Sequence, residues 1–141
     1  MSFGDTFEND LLKLIFNATA IADIAENDTT SPTANISVAL HTADPGETGT
    51  QSTNETAYTG YARVNVARTA GGWTVTNNSV SPVANIDFGE CTASPGGAIT
   101  HWSVGTTVSS KLIGSGTISP SITVAVGVIP RVKTTSTITL D

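Results

Sequence analysis

The sequence predicts a mainly β protein: an antiparallel β-sandwich of jelly-roll type, with about eight short strands and one N-terminal amphipathic α-helix. Three observations predict it. Charged residues make up only 13% of the 141 residues, about half the usual share, and Thr, Ser, Asn and Gly take their place. Val and Ile are the commonest large apolar residues, and branching at Cβ stiffens χ1 and suits a pleated surface. The apolar period also changes from 3.6 to 2 beyond Pro32, and turn residues rather than helical segments separate the alternating stretches. With nothing for βαβ crossovers to run through, the strands have to pair mostly antiparallel.

Asp5 and Glu8 have capping-box spacing, which starts a helix near Thr6. Phe7, Leu11, Leu14, Ile15, Ala18, Ala22 and Ala25 then form one stripe, with Glu8, Asn9, Lys13, Asn17 and Asp23 mostly on the other side. The turn formers from Asn27 to Pro32 close this element, predicting a helix over 6–26. Strands follow from residue 33 onward. Ile36, Val38 and Leu40 alternate with polar or small residues, as do Ala62, Val64 and Val66, and then Trp73 and Val75. Further strands are expected at Ile86 with Phe88, Ile99 to Gly105, Lys111 to Ile118, Ser121 to Val128 and Thr135 to Leu140. Asp44-Pro45-Gly46, Ala70-Gly71-Gly72, Asn77-Asn78, Ser94-Pro95-Gly96-Gly97 and Ser119-Pro120 are the predicted separators. Pro130 cannot donate to a ladder and marks an edge, a bulge or a strand end. The whole chain, 1–141, reads as a single domain, with the helix at 6–26 and the sandwich at 33–141.

Six Lys and Arg against twelve Asp and Glu give a net charge of −6, which argues against nucleic acid and anionic membrane as partners. The apolar runs are too short to span a bilayer and the acidic start lacks the basic region of a signal peptide, so a soluble chain made in the cytoplasm is expected. Cys91 is the sole cysteine, and it follows Glu90 rather than a cation. It is therefore expected to be a small core residue rather than a disulfide partner, a metal ligand or a nucleophile.

The candidate reactive groups are few. Ser37, His41 and Asp44 can be written as a hydrolytic set, yet no serine sits in a nucleophile elbow. His41 is expected at a solvent-facing strand end. His101 alternates to the face opposite Trp102 and Val104, where a polar contact to water or a neighbouring subunit is its expected role. Asp44, Glu47 and Glu55 lack calcium-loop spacing, and no Gly-rich loop precedes a helix. The sequence therefore predicts no catalytic residue, cofactor or metal, and an interaction protein rather than an enzyme.

Two segments carry a family resemblance. Val38-Ala39-Leu40-His41-Thr42-Ala43-Asp44-Pro45-Gly46-Glu47 and Thr53-Asn54-Glu55-Thr56-Ala57-Tyr58-Thr59-Gly60-Tyr61-Ala62-Arg63-Val64 resemble a family of small tailed-bacteriophage virion proteins. The likeness continues through Arg68 to Trp73, Ile99 to Gly105 and Leu11 to Asn17, and so covers most of the chain. It implies virion structure. Relatives are often labelled tail fibre proteins, while size and strand pattern are similar to jelly-roll cement, or decoration, proteins of HK97-type capsids.

The expected function is therefore a cement protein on the outer capsid surface, bound to the major capsid protein across capsomer boundaries. A tail fibre or tail-associated adaptor is the alternative, and a carbohydrate-binding module is a second. Closed two-fold symmetry favours a homodimer over a trimer. Candidate interaction residues are Phe7, Leu11, Leu14 and Ile15 on the helix stripe, which either packs on the protein's own core or meets a partner. The others are Glu47, Glu55 and Tyr58 in the long segment Ala43 to Gly60 and Tyr61 just beyond it; Tyr58 and Tyr61 flank Gly60 and are expected to anchor the segment. That segment is expected to project from the Asp44-Pro45-Gly46 turn as a contact arm whose tip can be deleted without unfolding the protein. Tyr58, Tyr61, Trp73 and Trp102 are the aromatics available to a glycan, although core packing is the commoner use of both tryptophans.

Overall fold

Residues 5–21, 33–107 and 109–140 are described in a computed structural model of the chain, with helix side chains from Glu8 onward. In chain order the elements are α1 (Asp5–Asn17), β1 (Asn35–His41), β2 (Val64–Ala67), β3 (Trp73–Thr76), β4 (Ser79–Pro82), β5 (Ile86–Asp87), β6 (Ile99–Thr106), β7 (Leu112–Ile122), β8 (Arg131–Val132) and β9 (Ile138–Thr139). The protein is mainly β, as its composition predicts, and the described residues hold one short helix near the N-terminus. The strands form sheets ordered β2-β1-β6-β7, β3-β4-β9 and β5-β8, and β1–β6, β6–β7, β3–β4, β4–β9 and β5–β8 all pair antiparallel. The chain divides into two units: Met1–Ala34 with Ala67–Asn85 and Lys133–Asp141, and Asn35–Val66 with Ile86–Val132. Among the described residues no helix is long and apolar enough to cross a membrane.

In the first unit the helix ends at Asn17, well short of the predicted residue 26. Ala18 takes a φ of 54°, and the Thr19 amide donates back to the Lys13 carbonyl at 3.1 Å, so the chain leaves the helical path there. Arg68 covers the exposed carbonyls, with Nε donating to Ile15 O at 2.6 Å and Nη2 to Leu14 O at 2.7 Å. A cation at this end also complements the helix dipole. The remainder of the predicted helix, 22–26, lies outside the described residues.

The buried line of α1 is Glu8, Leu12 and Phe16 rather than the predicted stripe; Leu11, Leu14 and Ile15 are half-buried. Apolar residues 11, 12, 14, 15 and 16 cover roughly 200° of the helix circumference at about 100° per residue, so periodicity alone leaves the buried side open. Packing selects it: the Phe16 ring meets Trp73 edge-on at 4.9 Å. Trp73 starts a hairpin that turns at Asn77-Asn78, with Asn77 at φ 52°. Its second strand, β4, has one central apolar residue and ends in Pro82, which is why alternation did not reveal it. β9 joins this sheet through Val80 opposite Ile138.

In the second unit β1 is buried along nearly its whole length instead of on one face. Its register on β6 places Val38 opposite Val104, Leu40 opposite Trp102 and His41 opposite His101. Ser119-Pro120, predicted as a separator, lies inside β7 through a cis peptide bond. The predicted strand at Ser121 to Val128 keeps only its first two residues. Beyond them Gly127 at φ 88° supports a turn closed from the Val128 amide to Ala125 O. This segment then runs beside Phe88 to Cys91, with Cys91 N donating to Val128 O and Phe88 N to Pro130 O. Pro130 thus immediately precedes β8, a strand end as predicted. Arg131 forms a two-pronged ion pair with Asp87 directly across the β5–β8 register, and Cys91 is fully buried and unbridged.

Candidate interaction surface

The segment from Thr42 to Gly60 is folded onto the β1–β6–β7 sheet rather than projecting from it. Its base turn is the predicted one: the Asp44 carboxylate accepts from the Gly46 amide at 2.9 Å, and Gly46 takes φ 71°. Backbone bonds from Thr42 N to Asn54 O and from Thr56 N to Leu40 O, both 2.9 Å, then lay residues 54–56 along the end of β1. Between these points Gln51 is driven under the loop to 0% exposure. Gly105 leaves room for it; a Cβ there would stand 2.4 Å from Gln51 Cδ.

His41 ties this arrangement together and is wholly buried, not at a solvent-facing strand end. Its Nδ1 lies 2.9 Å from Thr53 O and its Nε2 2.7 Å from Ser103 Oγ. A carbonyl can only accept, so Nδ1 carries the hydrogen and Nε2 accepts from the Ser103 hydroxyl. Ser103 Oγ in turn accepts from Gln51 Nε2 at 3.3 Å, and the same amide donates to Ser37 O at 2.9 Å. Burial holds the His41 pKa below its ordinary value, outweighing the opposing Thr53 carbonyl and Glu55. The serine partner is therefore Ser103, not Ser37. With Ser103 1% exposed and His41 0%, the pair has no face open to a substrate and works as an internal tie between loop and sheet.

A second tie is electrostatic. Arg63 grips Glu55 with both prongs, Nε to Oε1 and Nη2 to Oε2 at 2.7 Å each, and reaches Ser110 Oγ at 2.8 Å and Ser52 Oγ at 3.0 Å. Burial pushes the Glu55 carboxyl up, but the Arg63 and Tyr61 hydrogen bonds together hold it below the usual range. The Tyr61 hydroxyl donates to Glu55 Oε1 at 2.8 Å and accepts from Leu40 N at 3.1 Å, taking the ladder position that a strand carbonyl would occupy. Tyr58 stacks edge-on against it at 5.4 Å and donates to Gly89 O at 2.8 Å. Burial, then Cys91, pushes the Tyr58 hydroxyl up to about 12.

Of the predicted contact residues, the structure brings Glu55, Tyr58 and Tyr61 together, but as anchors facing inward. Tyr58, Trp73 and Trp102 are buried and Tyr61 is half-buried, so they offer no aromatic platform to a glycan. Glu47 remains exposed and, with Asp44, borders a shallow cleft of about 400 Å³ against Leu112 to Ser115. Leu11, Leu14 and Ile15 lie on the helix in the other unit, and the Phe7 side chain is outside the described residues. Deleting 47–56 would remove Gln51 and Glu55 and so open the sheet, which overturns the expectation of a dispensable tip.

Sequence reasoning missed Gln51, Arg63 and Ser103. Ser103 carried a signal, since a β1–β6 pairing with His41 opposite His101 brings residue 103 beside His41. Gln51 and Arg63 had none, because each acts on residues distant in the chain through contacts that local pattern does not encode.

Comparison with protein families matches the chain to the family described as podophage GP4 fiber I protein gp80 over residues 2–140, all but the terminal residue at each end. No curated protein matches the chain.

Proposed function

The chain belongs to the podophage fiber I family, a family of phage virion proteins, and from that premise we propose that it is a fibre subunit carried at the phage tail. The family match along nearly the whole chain carries this reading, because the matched description is of a fibre protein. The surface chemistry agrees with it. With few charges and many Thr, Ser and Asn side chains, the protein suits broad, wet, hydrogen-bonded contacts between virion parts. The double anchoring of the 42–60 segment makes its outer side chains, Glu47, Thr48, Thr50, Ser52 and Asn54, a rigid contact rim rather than a floppy one.

One observation favours the capsid cement reading as the second. The described chain is folded into short sheets with buried side chains and shows no long coiled coil or fibrous repeat, a form suited to a plug bound across capsomer boundaries to the major capsid protein. Imaging virions with this protein labelled separates the two. Label confined to the tail is the expected result. Label distributed over the whole shell, with particles lacking this protein more fragile to heat, overturns the fibre reading in favour of cement. A Glu47→Lys variant that folds normally and attaches less well to particles would place the rim at the contact.

A further inference from the structure

The strand β7 occupies the edge of the β2-β1-β6-β7 sheet. Alternate residues of an edge strand direct N–H and C=O groups outward, and proteins that avoid self-pairing blunt such edges with charge, proline or bulges. β7 spans 11 residues, Leu-Ile-Gly-Ser-Gly-Thr-Ile-Ser-Pro-Ser-Ile, without one charged side chain. Among the described residues, no backbone hydrogen bond reaches its outer edge from another segment. Pro120 and the break in register after Thr117 blunt its far end, and a one-residue slip marks Ile113. The run Gly114 to Thr117 between them pairs regularly with β6 and is left unguarded outside.

Two features of this run point to what covers it. The first is its near-palindromic order about Ser115: Gly114 matches Gly116, Ile113 matches Thr117 and Leu112 matches Ile118. Antiparallel pairing of two identical strands about Ser115 therefore sets Gly114 opposite Gly116 within the regular run and Ile113 opposite Thr117 at its ends. The latter is a β-branched cross-strand pair of the kind that stabilises a sheet.

The second is the pair of glycines. A Cβ at Gly114 would meet nothing within 4 Å, one at Gly116 would come no closer than 3.8 Å to Trp102 Nε1, and neither residue has a positive φ. Space does not require glycine at either position, although glycine in a strand interior weakens it. A glycine inside a strand is found at a bulge or where another backbone approaches closely; the slip at Ile113 accounts for Gly114, which leaves Gly116 for the second role. Charge is consistent with the same pairing: Asp44 and Glu47 border Leu112 to Ser115, so a two-fold axis at Ser115 sends the carboxylates of the two copies to opposite ends of the seam.

We propose that β7 pairs antiparallel with β7 of a second copy of this chain about a two-fold axis at Ser115, joining two four-stranded sheets into one. This pairing is independent of whether the protein sits on the tail or the shell. The full chain is examined by sedimentation over a range of concentrations, beside Thr117→Lys, an exposed position where charge would block the edge. The wild type is expected to sediment as a dimer, and T117K to dissociate at about tenfold or more higher concentration, with thermal midpoints that agree once both proteins are diluted to monomers.

Ser115→Cys and Ser119→Cys chains are oxidised in parallel. Cα separations across an antiparallel pair match disulfide geometry, so Ser115→Cys should cross-link rapidly and Ser119→Cys should not; the buried Cys91 does not compete. A monomeric wild type, a T117K dimer of unchanged affinity, or equal cross-linking at both positions would overturn the proposal. Protection of β7 amides only within assembled particles would do so too, assigning the edge to a strand from a different virion protein.

Discussion

Replacing Tyr61 by Phe removes one oxygen and keeps the ring, so its effect isolates the hydroxyl. In the structure that hydroxyl donates to Glu55 Oε1 at 2.8 Å and accepts from the Leu40 amide at 3.1 Å. The first bond is to a charged acceptor, worth about 1.5 to 3 kcal/mol, and losing the second strands a buried backbone N–H at a further cost of about 1 kcal/mol or more. The sum is about 2.5 to 4 kcal/mol, and at this chain length each kcal/mol moves the midpoint by roughly 3 to 4 °C.

Tyr58→Phe is the control, since it loses a single bond to the Gly89 carbonyl and should cost about 1 kcal/mol. Thermal and urea unfolding of both variants at neutral pH measure the difference. Tyr61→Phe should also lose its disadvantage in acid. Glu55 is held below its ordinary value by Arg63 and Tyr61 against the upward push of burial, so the stability it contributes is fully present above about pH 4.3 and is lost as pH falls through its folded value. Without the Tyr61 bond there is less to lose, and the gap to wild type narrows at low pH. A Tyr61→Phe variant no less stable than Tyr58→Phe would refute the idea that the hydroxyl completes the ladder at Leu40.

Acid should also act through His41, whose pKa burial lowers despite the opposing Thr53 carbonyl and Glu55. The stability due to its neutral ring is complete above about pH 6.5 and declines as pH falls toward the folded value. Ring resonances of His41 that titrate at or above the unfolded-chain value would contradict this. Gly105→Ala places a Cβ 2.4 Å from both Gln51 Cδ and Lys111 O, so a cost of about 1 to 3 kcal/mol is expected. Gly71→Ala, whose Cβ would meet only Thr69 Oγ1 at 3.6 Å, should stay within about 0.5 kcal/mol. Denaturant midpoints of the two proteins compare them, and equal values would show that Gln51 is not wedged beneath the loop.

The mainly β class was legible because it rests on many residues at once. Val, Ile and Thr at alternating positions state a preference for pleated structure wherever the chain goes. The strands at Ile36 to His41 and Ile99 to Gly105 were found by that alternation, as was the Asp44-Pro45-Gly46 turn by its own side-chain hydrogen bond. What alternation records is one buried face. β1 and the latter half of β6 are buried on both, because Gln51 and its loop cover the second face, and Gln51 meets Ser103 across 52 positions of sequence.

The candidate surface was legible as a list of residues and only in part as their roles. Tyr58 and Tyr61 were expected both to anchor the segment and, with Glu55, to make outward contacts; their partners Gly89, Leu40 and Arg63 turn all three inward, which keeps the anchoring and removes the outward contact. In α1 the same limit appears on a smaller scale: apolar side chains on more than half of the circumference permit several buried faces, and Trp73 selects the one carrying Phe16. By itself the sequence determined the kinds of local structure, since φ, ψ preference and apolar period are properties of neighbouring residues. The tertiary structure alone decided where α1 ends, which faces are covered and which polar groups meet. A buried hydrogen bond such as His41 to Ser103 forms only after distant segments have excluded water around it.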